Sequence, residues 1–250
     1  MVFLRLAVLF VGLVFSTVTV CAQNIATIYV GYNNTQAFRD AASNSTSSYD
    51  MVTTVSTPAI TRIHEGDTVQ FTWQGSPHNI NPYPDGAFHN SGYMTSQTAS
   101  QIMGSSTWNA STRLSTYLCS AHPRPMTGQI FVFEVAKNFR VTAPNSVHSG
   151  TPFDITVVAI GQNNSVDELY GGTIHFSTSD SDPTVQLPPD YAFVAADKGT
   201  RIIRNFVLKT VNPGATVTVT ASGGGITGVA TIRVDGPNPP QPPGNLRVSP

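Results

Sequence analysis

Short runs in which apolar and polar positions alternate recur along this chain, separated by stretches of Ser, Thr, Asn, Gly and Pro. A period of two places alternate side chains on opposite faces and predicts strands. The clearest run follows Gly66-Asp67, with Val69, Phe71 and Trp73 on one face and Thr68, Gln70 and Thr72 on the other. Ile28, Tyr29 and Val30 suit a first strand, because β-branched and aromatic residues pack well on a pleated surface. Met51–Val55, Ala59–Ile63, Leu114–Cys119 and Gln129–Val135 are further strand candidates. The last of these is apolar on both faces and reads as a central strand. The polar stretch Gly31–Tyr49 reads as a long loop with a helical turn around Gln36–Ala42.

A boundary falls near Ala136-Lys137-Asn138. A second set of strands follows at Phe139–Thr142, Phe153–Ile160, Thr173–Ser177, Ile202–Leu208, Thr216–Thr220 and Val229–Val234. Turn signals such as Asn145-Ser146, Gly171-Gly172, Asn212-Pro213-Gly214 and Gly223-Gly224-Gly225 separate them. The expected fold class is all-β, with one sandwich over residues 23–136 and a second, immunoglobulin-like one over 137–235.

The two ends read differently. Arg5, the apolar run Leu6–Phe15 and the small-residue site Val20-Cys21-Ala22 form an export signal over residues 1–22, with cleavage after Ala22 and Gln23 as the mature N-terminus. Cys21 also fits a lipidation site, although Val20 stands where a small residue is wanted. No transmembrane segment is expected in the mature chain, which is read as secreted, periplasmic or cell-surface. At the other end, residues 236–250 begin as a Pro-rich, semi-rigid linker.

Composition narrows the function classes. The 250 residues include only 11% charged residues and carry a net charge of -1, which gives nucleic acid or an anionic membrane no basic stripe to grip. A Walker-type Gly-rich phosphate loop, the His-Glu-x-x-His zinc motif and the Gly-x-Ser-x-Gly elbow are absent from the sequence. Cleavage after Ala22 leaves one cysteine, Cys119, and an unpaired cysteine in an exported chain calls for an explanation.

Its neighbours supply one. The stretch Cys119-Ser120-Ala121-His122-Pro123-Arg124-Pro125-Met126 offers a thiolate, an imidazole and a thioether within eight residues, and His78 offers a second imidazole. Thiolate and thioether suit Cu(I), while imidazole suits both copper oxidation states, so this donor set suits a mononuclear blue-copper site. Coordination would also keep the thiolate deprotonated and occupied. Each donor alone has an ordinary structural reading, because lone Cys and Met residues usually fill cores. The combination carries the signal.

On these residues, roughly 24–136 resemble the cupredoxin family, nearest to its plastocyanin-like and amicyanin-like members. The resemblance rests on Pro77-His78-Asn79 and on Cys119-x-x-His122-x-x-x-Met126-x-Gly128. It implies a Greek-key β-sandwich and copper held by His78, Cys119 and His122, with Met126 as a weak axial ligand. It further implies that Asn79 ties the two ligand segments together and that His122 is the edge facing partners. The spacing between His122 and Met126 is intermediate among the family's loop lengths, which bears on colour and potential more than on metal identity. His64 and His89 match no ligand position and are expected to face solvent; His175, within a strand, is expected to be structural. The run from Thr151 to Phe176 resembles bacterial immunoglobulin-like surface repeats, and Gly244–Pro250 looks like the opening of a fibronectin type III module.

The expected function is one-electron transfer between soluble or membrane-bound redox proteins, without catalysis by this chain. Copper storage or surface attachment without redox turnover remains an alternative, as does a redox appendage of a larger oxidase.

Overall fold

The computed structural model describes residues 24–32, 36–51, 55–75, 77–82, 100–103, 113–210 and 212–237. The export signal, His89 and the segment from residue 238 onward lie outside them. The described residues are overwhelmingly strand and turn, with no α-helix, as the alternation predicts.

The first half contains β1 (Ile25–Val30), β2 (Phe38–Asp40), β3 (Ser48–Asp50), β4 (Val55–Thr57), β5 (Ala59–His64), β6 (Thr68–Trp73), β7 (Asn81–Pro82), β8 (Ser100–Met103), β9 (Leu114–Leu118) and β10 (Thr127–Phe133). They form two four-stranded sheets, ordered β2-β1-β6-β8 and β5-β10-β9-β7, beside a β3-β4 hairpin. The β1-β6 and β5-β10 pairs are parallel and the other pairs of these sheets are antiparallel. β10 is the inner strand that its double apolar character predicts. Pro82 falls on edge strand β7, where its missing N–H costs no ladder bond.

The inward positions of β6 fill the space between the sheets. Val69, Phe71 and Trp73 are fully buried with Ile28, Val30, Phe38, Tyr117, Cys119, Met126 and Ile130. Tyr117 stands edge-on to Phe38 and Phe71, at 4.9 and 5.2 Å between ring centroids. Such pairs contribute about 0.5–1.5 kcal/mol each beyond their area. The ring also lies flat on Gly128, where a Cβ would come within 2.0 Å of Tyr117 Cζ, so only glycine fits at the start of β10.

The expected helical turn at Gln36–Ala42 is instead β2. Phe38 is pulled into the core and pairs with Val30, while the Asp40 carboxylate accepts hydrogen bonds from Ser43 and Thr61. The strand expected at Met51–Val55 is likewise displaced: β3 and β4 lie to either side, and residues 52–54 are outside the described set.

The second half contains β11 (Asn138–Thr142), β12 (Ser146–His148), β13 (Phe153–Ile160), β14 (Thr173–Thr178), β15 (Tyr191–Ala192), β16 (Thr200–Phe206), β17 (Ala215–Gly223) and β18 (Ile226–Asp235). A three-stranded sheet, β11-β13-β16, faces a five-stranded one, β12-β18-β17-β14-β15. Between them lies a core of Phe139, Phe153, Ile155, Val157, Phe176, Phe206, Val217, Val219, Ile232 and Val234. No disulfide is present among the described residues, so this core stands on apolar burial. Ala136, at the boundary, packs into it.

Candidate metal centre

The first ligand segment emerges from β6. The strand ends at Trp73, and the chain turns through Pro77 to His78. Three residues fix the segment that carries the imidazole. The Trp73 indole N–H donates to the His78 carbonyl at 3.0 Å within the core. Asn79, also buried, faces the opposite loop: its Oδ1 accepts from the Ser120 N–H at 2.8 Å and its amide donates to Ser120 Oγ at 3.2 Å. Gly31, at φ +66°, lies against the imidazole edge, and a Cβ there would come within 2.7 Å of His78 Cδ2.

The second segment connects β9 to β10. Its backbone folds on itself: His122 N–H donates to the Cys119 carbonyl, Met126 N–H to the His122 carbonyl and Cys119 N–H to the Met126 carbonyl, each at 3.0 Å. These bonds hold three of the sequence-predicted ligands in one tight loop. Cys119 and Met126 are fully buried, His78 is 5% exposed and His122 is half-buried.

The structure brings the donor atoms of His78, Cys119 and His122 together. The Cys119 Sγ lies 3.9 Å from His78 Nδ1 and 3.6 Å from His122 Nδ1, and the three ligand atoms all fall within 4.8 Å of one another. The imidazole centroids are 5.0 Å apart at an interplanar angle of 64°, so both rings present Nδ1 towards the sulfur. An ion with bonds of about 2.3 Å to sulfur and 2.0 Å to nitrogen, opened to ~110–130°, requires sulfur–nitrogen separations on the order of 3.5–3.9 Å. The two sulfur–nitrogen separations therefore match one small transition-metal ion bound through the thiolate. Met126 belongs to the same buried cluster as Cys119, its side chain beside the core.

Electrostatics favour ligation. Burial, and then the neighbouring His122, hold the His78 pKa below the ordinary histidine value. A neutral imidazole with a free lone pair is therefore ready at neutral pH. Burial, assisted by Asp40, pushes the Tyr117 phenol far upward, so it stays neutral beneath the site.

Sequence reasoning missed Gly31 and the Trp73 bond. A glycine after a strand is too common to announce an approach to an imidazole, and Trp73 reads simply as core. His64, expected in solvent, is instead partly buried against Asp167 at 2.7 Å. His175 pairs with Asp190 on the surface.

No family model and no curated protein matches this chain. Among solved structures, a purple cupredoxin from Nitrosopumilus maritimus is 22% identical, covering 43% of this chain and 99% of its own, with a TM-score of 0.28. A reduced mutant form of amicyanin is 21% identical over 30% of this chain and 70% of its own, with a TM-score of 0.25. A glycosyl hydrolase family 2 member from Bacteroides cellulosilyticus is 12% identical over 68% of this chain, with a TM-score of 0.36; this chain spans 23% of that protein's length. The similar structures thus include cupredoxins for part of the chain and glycosidase segments for a larger part, while the case for a metal rests on His78, Cys119 and His122 themselves.

Proposed function

We propose that this chain is an exported one-electron carrier whose mononuclear copper is held by His78, Cys119 and His122, with Met126 as a weak axial donor. The observation that carries the reading is the convergence of two imidazole Nδ1 atoms on one buried thiol at metal-spanning distances. When bound, copper supplies a Cu(II)/Cu(I) couple at a donor set that does not strongly disfavour either state.

The chain's own residues supply rigidity and access. Asn79 and Ser120 tie the two ligand segments, and Trp73 and Gly31 fix the His78 loop, so the donors are held in place whichever oxidation state is present. Cys119 and Met126 are fully buried, so water is kept from the soft donors. His122, with part of its surface exposed, is the edge at which a redox partner approaches. The carboxylate-free loops 77–82 and 119–128 leave no hard anionic oxygen to compete for the ion.

Cyclic voltammetry of the copper-loaded protein separates carrier from store. A reversible one-electron wave with fast exchange supports the carrier. Tight copper binding without a reversible wave supports storage.

A further inference from the structure

The meeting of the two sandwiches contains buried groups that the metal centre does not use. Asp167, on the loop after β13, is nearly inaccessible, and its carboxylate gathers three donors. Oδ1 faces His64 Nε2 of β5 at 2.7 Å and accepts the Leu169 N–H at 3.0 Å, while Oδ2 accepts the Ala136 N–H at 3.0 Å. One side chain of the second sandwich thus grips a strand end of the first and the residue that joins them.

A second grip runs the opposite way. Glu134, just beyond β10 and buried, accepts from both the backbone N–H and the side-chain amide of Asn163. Its stem lies on Gly161, where a Cβ would come within 2.4 Å of the Glu134 Cβ. Ala136 completes the joint by packing into the second core. Around these grips the domains stand apart. A cleft of about 380 Å³ opens between Arg62 and Arg113 on one side and Val166 and Glu168 on the other, and a cleft of about 620 Å³ separates Ile60 from Tyr170 and Lys198. Polar pins, rather than a continuous apolar seam, make the contact.

The strand registers fix where the joint lies. β10 starts at the metal pole beside Met126 and ends at the joint beside Glu134, while His64 pairs with Phe133 at that same end. At about 3.3 Å per residue the metal centre is on the order of 20 Å from the joint. In the second sandwich β11 leaves the joint, Gly228 of β18 packs on Phe139, and β18 then runs away from the joint to Asp235 beside His148. The chain therefore leaves the second sandwich a further ~23 Å away, at its distal end.

We infer that the second sandwich is a rigid spacer, pinned through Asp167–His64 and Glu134–Asn163, which holds the metal-bearing pole outward and away from the chain that follows Asp235. This goes beyond electron transfer and does not depend on copper.

Backbone ¹⁵N relaxation on the chain from residue 23 onward, metal-free, tests it. A single rotational correlation time shared by residues 55–75 and residues 153–206 is the expected result. In the double variant H64A/E134A the two values should separate and each fall to roughly half, in proportion to domain size. The variant Asn163→Ala, which removes one hydrogen bond from an exposed loop, should give an intermediate loss of coupling and guards against a folding defect in the double variant. Independent tumbling of the wild-type domains overturns the spacer. Unchanged coupling in the well-folded double variant overturns the pins.

Discussion

Two regions of this molecule bury ionisable side chains, and they do so in opposite ways. At the interdomain joint both Asp167 oxygens and both Glu134 oxygens meet donors of this chain. At the other pole the Cys119 thiol meets two imidazole nitrogens, and among the described residues no carboxylate or backbone donor meets these three atoms. A satisfied buried polar group stabilises one arrangement and does nothing further. Two imidazole nitrogens and a thiol that converge on one point can share a proton without metal and release it when a soft cation binds. The difference is why we propose a brace at one region and a binding site at the other.

The comparison breaks first at the thiol. Cys119→Ser should abolish any intense visible absorption and weaken copper binding by more than the roughly 10–100-fold typical of losing a supporting partner. Copper titration followed by absorbance reads both effects. At the joint the corresponding deletion, Asp167→Ala, strands the Ala136 and Leu169 N–H groups. The Ala136 N–H is buried and the Leu169 N–H only partly so; with about 1–3 kcal/mol for a buried donor left unmet, a loss of ~2 kcal/mol in denaturant unfolding is expected, with copper affinity unaltered.

Asn79→Ala sharpens the contrast from the other side. It cuts the tie to Ser120 without removing a ligand, so metal affinity should fall about 10-fold while chelator-treated protein unfolds close to wild type. Competition with a calibrated chelator measures it.

The brace should also depend on pH. Burial lowers the His64 pKa, but its hydrogen bond to Asp167 and the charges of Asp167, Asp67 and Glu65 outweigh that and leave it raised above 6.5. The ion pair's contribution is therefore complete below pH 6.5 and fades as pH rises through the raised value. Glu134 is shifted down from 4.5 by its two bonds to Asn163, so its contribution is complete above pH 4.5 and fades as pH falls through the lowered value. Domain coupling should peak between those limits, and His64→Gln should flatten only the alkaline side. Coupling measured by relaxation from about pH 4 to about pH 9 checks both limbs.

The smallest structural effect, about 1 kcal/mol, is expected for Met126→Leu, which nearly conserves volume. Its redox effect is the informative part. Without the axial donor the site favours Cu(I) and the potential rises, whereas Met126→Gln introduces a harder oxygen and lowers it. Equal potentials in all three proteins would remove Met126 from the site.

How much of this was legible in the sequence follows from where the information lies. The soft donors were legible because Cys119, His122 and Met126 sit in one loop and His78 follows a strongly alternating strand. The strands with their own apolar rhythm, such as β6 and β13, were legible for the same reason. β2 was not, since Phe38 is the one large aliphatic or phenyl side chain in a mostly polar stretch and becomes strand through pairing with β1 and the bonds to Asp40. Nor was the joint, because Asp167 is 103 residues from its partner His64 and neither residue has a local reason to be buried. Gly31 shows the same limit at the metal pole: its role is a close approach, and no spacing rule encodes one.

The central claim is that His78, Cys119 and His122 bind copper through the thiolate. Its most direct test is the paired visible and EPR spectrum of the protein loaded with one equivalent of Cu(II), recorded for wild type and Cys119→Ser. The account predicts a single bound copper with an intense visible band in the wild type and no such band in the variant. Failure of the wild type to bind copper, or a spectrum that survives loss of the thiol, would contradict it.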